Sequence, residues 1–301
     1  MKLGMIGLGR MGASMAQRLA RAQHEVAGYD PQDAARRRAQ EQGTAVVDSL
    51  QALVARLAPP RVLWMMVPAG DATDQTLDAL IPLLHADDTV VDGGNSNYKD
   101  TLRRAAQLKD KGFNYVDCGT SGGVWGLQEG YSLMIGGDKK VVETLRPIFE
   151  ALAPAPDKGW GRVGPSGSGH FVKMVHNGIE YGLMQAYAEG FSLMRHKQDF
   201  ALDLSQIAEI WRYGSVVRSW LLELTGSALQ KDPELQDLQA WVDDSGEGRW
   251  TVAEALELDV PAPIITGALI ERLRSRDPDS FSDKLLAAMR NEFGGHPVRK
   301  T

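Results

Sequence analysis

The sequence predicts two parts, an α/β domain on a parallel sheet over residues 1–163 and an all-α domain over residues 164–301. Three observations predict it. A glycine-patterned turn joins the first apolar run to the first helix, and short apolar runs ending in turn residues recur through the first half. Beyond a Gly/Pro-rich stretch, Gly159 to Gly169, helical periodicity replaces them.

Lys2 to Ile6 reads as a strand rather than a signal peptide, because Arg10 interrupts the run early and no cleavage site follows. Gly7-Leu8-Gly9-Arg10-Met11-Gly12 then opens a helix running to about Ala22, and Glu25 to Tyr29 is a second strand ending at Asp30. Strand, GxGxxG, helix, strand and acid, with the acid 18 positions after the last glycine, is a Rossmann-like dinucleotide site. Gly7 permits the tight turn, Gly9 lets the backbone approach a pyrophosphate, and Gly12 allows close helix–strand packing. The phosphates sit on the helix N-terminus, where free N–H groups and the dipole favour negative charge. A carboxylate at Asp30 accepts hydrogen bonds from both adenine-ribose hydroxyls and repels a 2′-phosphate, which points to NAD. Arg36, Arg37 and Arg38 keep NADP as the weaker alternative: either one of them reaches a phosphate, or the triplet is a solvated helix start.

The α/β rhythm continues. Arg61 to Pro68 is a buried strand with a proline-containing turn, Thr89 to Asp92 is another, and Asn114 to Cys118 a further one. Parallel sheets place ligands beyond the carboxyl ends of their strands. Val67, Pro68 and Ala69, Asn95, and Ser121, Gly122 and Gly123 all occupy such ends and outline one crevice. In the second half, Phe171 to Arg195 forms a long helical spine, followed by helices at Leu204–Trp211, Ser215–Leu229, Thr251–Glu257 and Pro263–Arg274. Tryptophans there supply large core anchors.

The segment from His170 to Tyr181 carries too many polar groups for an otherwise apolar helix. At about 100° per residue, Lys173, His176, Asn177, Glu180 and Tyr181 fall within an arc of roughly 140°. The neighbouring face of Phe171, Val172, Val175, Ile179 and Leu183 reads as core. An amine and a carboxylate two turns apart on one side suit two separate proton transfers to one small molecule. A solvated face with an internal ion pair fits less well, because glycines and large apolar residues flank the cluster.

The 301 residues, 43% apolar and 24% charged, describe an ordinary globular chain, and the net charge of −6 argues against a nucleic-acid or membrane surface. No apolar run reaches the roughly 18 residues that span a bilayer. A single cysteine, Cys118, excludes an intramolecular disulfide and fits a reducing cytoplasm. No convincing metal-ligand cluster is visible, so a metal is not expected.

Gly169 to Gly182, together with Asp92-Gly93-Gly94-Asn95-Ser96, Ser121-Gly122-Gly123 and Gly248-Arg249-Trp250-Thr251, resembles the decarboxylating 6-phosphogluconate dehydrogenase family within the β-hydroxyacid dehydrogenase superfamily. The resemblance covers nearly the whole chain and is closest to a short, NAD-preferring form with a truncated helical domain. It implies oxidative decarboxylation of 6-phosphogluconate to ribulose 5-phosphate, a pentose phosphate step, with Lys173 as base and Glu180 as acid. It also implies substrate contacts from Asn95, Ser121, Gly122, Gly123, His176, Asn177, Tyr181 and Arg272. The tail Arg290 to His296 resembles a family segment that reaches a neighbouring subunit's site. This implies a homodimer or homotetramer in which Arg290 and His296 act in trans; the alternative is a solvated terminus. Long-form members carry a lysine in a longer loop before the tryptophan, and whether Arg249 replaces it here stays open. The nearest rival is another β-hydroxyacid dehydrogenase, such as one acting on 3-hydroxyisobutyrate. A non-catalytic NAD sensor is a rival from another class, but such a protein would tend to lack the lysine or the acid.

Overall fold

The computed structural model describes residues 1–294 and 297–299, and the chain forms two compact units, Met1–His176 and Asn177–Thr301. The division between them falls inside the long helix.

The first unit alternates strands and helices: β1 (Lys2–Ile6), α1 (Arg10–Arg21), β2 (Glu25–Tyr29), α2 (Asp33–Glu41), β3 (Ala45–Val46), α3 (Leu50–Ala55), β4 (Val62–Met65), α4 (Asp71–Leu80), β5 (Thr89–Asp92), α5 (Tyr98–Asp110) and β6 (Asn114–Ser121). Then come α6 (Gly126–Glu129), β7 (Ser132–Gly136), α7 (Lys139–Thr144), α8 (Arg146–Leu152), β8 (Trp160–Gly164) and the start of α9 (Ser168–His196). One sheet runs β3-β2-β1-β4-β5-β6-β7-β8, parallel except where β7 meets β6. Every residue of β4 and β5 is buried, as expected of strands covered on both faces. Successive side chains feed two cores. Leu3, Met5, Trp64 and Val91 pack with Met15, Leu19 and Phe149, while Ile6, Leu63, Met65 and Val90 pack with Leu53, Leu77 and Leu108. The chain moves outward from β1 to β3 and returns to β4 on the other side. The carboxyl ends of β1 and β4 therefore flank the topological switch point, where such sheets bind ligands.

Two strands were not legible locally. Ser132–Gly136 pairs antiparallel with β6, and Trp160–Gly164, within the stretch read as a boundary, adds an edge strand to β7. The open edge of β7 supplies hydrogen-bond partners, and Trp160 anchors the edge by stacking on Phe149 at 5.7 Å.

In the second unit α9 continues to His196, followed by α10 (Leu204–Trp211), α11 (Trp220–Lys231), α12 (Glu247–Glu257), α13 (Pro263–Arg274) and α14 (Phe281–Gly294). Its two cores are small. One gathers Phe191, Ala208, Leu222 and Leu229, the other Tyr181, Ala268 and Leu269. Of the expected anchors, Trp211 packs edge-on against Phe191, whereas Trp220 and Trp241 are exposed. The face of α9 expected to be core is likewise partly open, with Ile179 52% and Leu183 46% exposed. Helical periodicity marks that face as apolar but cannot say whether this chain covers it. No helix among the described residues is long and apolar enough to cross a membrane.

Candidate active site

In the first unit, the GxGxxG turn forms the wall of a cavity of about 860 Å³ at the switch point. Gly7 has φ +90°, and a Cβ there would lie 2.4 Å from the Met66 carbonyl oxygen. A Cβ on Gly12 would lie 2.0 Å from the Gly7 carbonyl oxygen, so both glycines are required by close backbone approach. Gly9, by contrast, faces open space, as a backbone meant to meet a pyrophosphate should. Leu8 contributes its backbone: its N–H donates to Asp30 Oδ2 at 2.8 Å, while its side chain is core. Asp30 is buried, and its other oxygen accepts from the Gln32 N–H at 2.8 Å. Two backbone donors thus fix the carboxylate at the end of β2. Arg36 is tied down, donating to the Asp30 and Pro31 carbonyl oxygens, and Arg37 pairs with Asp33. Arg38 alone of the three lines the cavity.

Arg10, Met11, Val67, Pro68, Asn95 and Gly123 line the same cavity, together with Gly93 and Gly94 of the Asp92–Ser96 motif, and with Met66 and Val124, to which sequence reasoning gave no binding role. Ala69, Ser121 and Gly122 are not among its lining residues. Asn95 has φ +55°, and its side-chain amide pairs twice with the Thr120 backbone, donating to the carbonyl at 3.0 Å and accepting from the N–H at 2.8 Å. That pairing pins the β5–α5 loop to β6. These residues fit a dinucleotide: an open glycine, a helix N-terminus and a fixed carboxylate border one cavity.

The first turns of α9 are seated on β6. The buried carboxylate of Asp117 accepts from the N–H groups of Gly167 at 2.7 Å and His170 at 3.0 Å, capping the helix across 50 residues of sequence. A Cβ on Gly119 would lie 2.4 Å from Lys173 Cβ, and one on Gly169 would lie 2.4 Å from the Met134 carbonyl oxygen. Helix and strand therefore meet through bare backbone, and Lys173 sits over Gly119, only 5% exposed. His170 is also buried, with Nδ1 2.7 Å from Thr101 Oγ1. His176, the last residue of the unit, is half-buried. Asp117 and Gly119 were missed by sequence reasoning; an acid inside the apolar run Tyr115 to Cys118 was the available signal.

In the second unit, Asn177 and Glu180 are half-buried on α9. Tyr181 is buried, its hydroxyl accepting from the Ser245 N–H at 3.1 Å, and a Cβ on Gly248 would strike its ring. The Arg272 guanidinium lies over that ring, 3.5 Å from its centroid, and donates to the Asp243 carbonyl oxygen at 2.8 Å. Tyr181, Arg272 and the loop before α12 thus form one cluster. Arg249 is engaged in a two-pronged ion pair with Asp244, which Arg276 also approaches at 3.1 Å. Hydrogen bonding from Arg249 holds the Asp244 carboxyl below its ordinary range. Arg290 is exposed on α14, and His296 lies outside the described residues. Among the described residues, no group of three or more His, Cys, Asp or Glu side chains is placed to hold a metal ion.

Comparison with known proteins adds independent findings. Residues 2–161 match the model of the NAD-binding domain of 6-phosphogluconate dehydrogenase, and residues 169–282 match that of its C-terminal domain. The chain is 48% identical over its whole length, and over 99% of the relative, to an NAD(+)-dependent decarboxylating 6-phosphogluconate dehydrogenase of Haloferax volcanii. Its structure resembles that of Plasmodium falciparum 6-phosphogluconate dehydrogenase, with TM-score 0.84 and 28% identity, covering all of this chain and 66% of that longer one. A Mycobacterium tuberculosis 3-hydroxyisobutyrate dehydrogenase gives TM-score 0.74 at 23% identity, covering 92% of this chain and 94% of that one, a likeness of fold alone.

Proposed function

Because the chain belongs to the 6-phosphogluconate dehydrogenase family, we propose that it converts 6-phosphogluconate to ribulose 5-phosphate and CO2 with NAD as oxidant. The observation that carries the mechanism is the seat of Lys173: a buried amine on a capped helix, close to the β6 backbone. NAD, held by the Gly7–Gly12 turn and Asp30, would supply hydride acceptance at C3 of the substrate. Lys173, acting as the neutral amine, takes the proton of the C3 hydroxyl. The resulting ammonium hydrogen-bonds the new C3 carbonyl oxygen and stabilises the enolate as CO2 leaves. Glu180, two turns along the same helix, then protonates C1 of the enediol. Asn95, Ser121, Gly122, Gly123, His176, Asn177, Tyr181 and Arg272 hold the sugar acid, a role supported for the last two by their stacked, loop-anchored pairing.

Asp30 sets the preference for NAD, because both of its oxygens are oriented by backbone donors at the ribose end of the cavity. Arg38, which lines that cavity, keeps NADP as the weaker cofactor. The working form is a cytoplasmic homodimer or homotetramer in which Arg290 and His296 serve a neighbouring copy's site. Support comes from the exposed apolar residues of the helical unit, among them Leu183 and Leu193. A spectrophotometric assay of NADH formation with 6-phosphogluconate, run beside NADP, tests the reading. Turnover with NAD and release of CO2 are expected; absence of turnover on 6-phosphogluconate overturns it. Asp30→Asn should narrow the gap between NAD and NADP by about tenfold.

A further inference from the structure

Behind the cofactor cavity lies a buried guanidinium to which the mechanism gives no task. Arg104, on α5, is 0% exposed. Its Nη2 donates to the Gly70 carbonyl oxygen at 3.1 Å, its Nε to Asp74 Oδ1 at 2.8 Å and its Nη1 to Ser96 Oγ at 3.0 Å. Its Nη1 also lies 3.7 Å from Asp92 Oδ2, and Asp92 in turn accepts from the Gly94 N–H, the Ser96 hydroxyl and the Tyr115 hydroxyl. Burial opposes the charge, yet bonding to Asp74 keeps the guanidinium firmly protonated.

The partners belong to two loops. Gly70 ends the β4–α4 loop, whose Val67 and Pro68 line the cavity; Ser96 belongs to the β5–α5 loop, whose Gly94 and Asn95 line it too. We propose that Arg104 is a positioning residue for NAD: its planar fork fixes the spacing of these two loops and so the width of the cofactor cavity. Lysine cannot substitute, because a single ammonium does not hold three acceptors in one plane. The proposal deepens the reading above, since it concerns the binding of the NAD that the reading requires.

The same sheet provides a control. Arg61 pairs with the buried Asp88 at 3.0 Å and also takes part at the strands' other end, its N–H donating to the same carboxylate. Arg61 is half-buried and Arg104 fully buried, both are paired, and of the two only Arg104 reaches the cavity loops. NAD affinity of the full-length chain, read by tryptophan fluorescence without substrate, therefore separates positioning from bulk stability. Arg104→Lys should weaken NAD binding about tenfold and raise KM for NAD more than it lowers kcat. Arg61→Lys should lower the melting temperature by a similar amount and leave NAD affinity within about twofold. Wild-type affinity in Arg104→Lys, or equal weakening in both variants, overturns the proposal. If Arg104→Lys does not fold, Ser96→Ala decides: about threefold weaker binding is expected, and unchanged binding overturns the proposal. Failure of the wild type to oxidise 6-phosphogluconate would sink the activity while leaving this NAD comparison intact.

Discussion

The two units bury their apolar residues differently. In the first, β4 and β5 have no exposed residue, and the sheet is filled on both faces by side chains from α1, α3, α4, α5 and α8. In the second, each small core leaves large apolar side chains in the open, including Leu193 at 75% and Phe281 at 74%. A doubly covered sheet satisfies its own hydrophobic faces. Helices joined by short connections have one covered stripe each, and any further apolar surface needs another chain. The lesson is that the proposed catalytic amine is held by the unit with its own complete core, while Arg272, the proposed substrate contact, belongs to the one with more apolar surface left exposed.

The largest test removes the amine. Lys173→Ala should lower turnover by at least about a thousandfold while NAD affinity, measured by titration, stays near wild type; a variant keeping a tenth of the activity removes Lys173 from its role. Next, Gly119→Ala probes the seat rather than the group. Its Cβ would collide with Lys173 Cβ at 2.4 Å and the Gly169 carbonyl oxygen at 2.7 Å. We expect kcat to fall about a hundredfold with a stability loss of about 2 kcal/mol by denaturant titration. If turnover survives, the rigid seat is dispensable.

A smaller effect should come from the second unit's surface. Leu183→Glu places a charge on the exposed apolar face of α9 and should shift sedimentation toward the monomer, lowering activity about tenfold at low protein concentration. An unchanged sedimentation profile would mean the face is not an interface. The smallest concerns acid stability of the loop before α12. Asp244 is held below its ordinary carboxyl range by Arg249, so its contribution is present above the unfolded value and is lost as pH falls through the folded one. Asp244→Asn should flatten the acid limb of the melting-temperature profile while leaving the rest of the chain's titration in place.

Some of this was legible beforehand. The turn from Gly7 to Gly12, the acid at Asp30 and the helices Leu204–Trp211 and Pro263–Arg274 lie where local pattern puts them. Each depends on spacing along the chain. The strands Ser132–Gly136 and Trp160–Gly164 were not legible, because they are strands only through their neighbours' edges. The apolar stripe of α9 was visible as a stripe, but its exposure was not.

Sequence alone determined the dinucleotide turn, the α/β rhythm and the placing of an amine and a carboxylate two turns apart on one helix, since all three follow from short-range geometry. Tertiary structure decided that Asp117 caps that helix, that Gly119 makes room for Lys173, and that Arg104 joins two loops from behind. Those partners are separated by tens of residues, and a hydrogen bond or a missing Cβ acquires meaning only once folding brings its counterpart within reach.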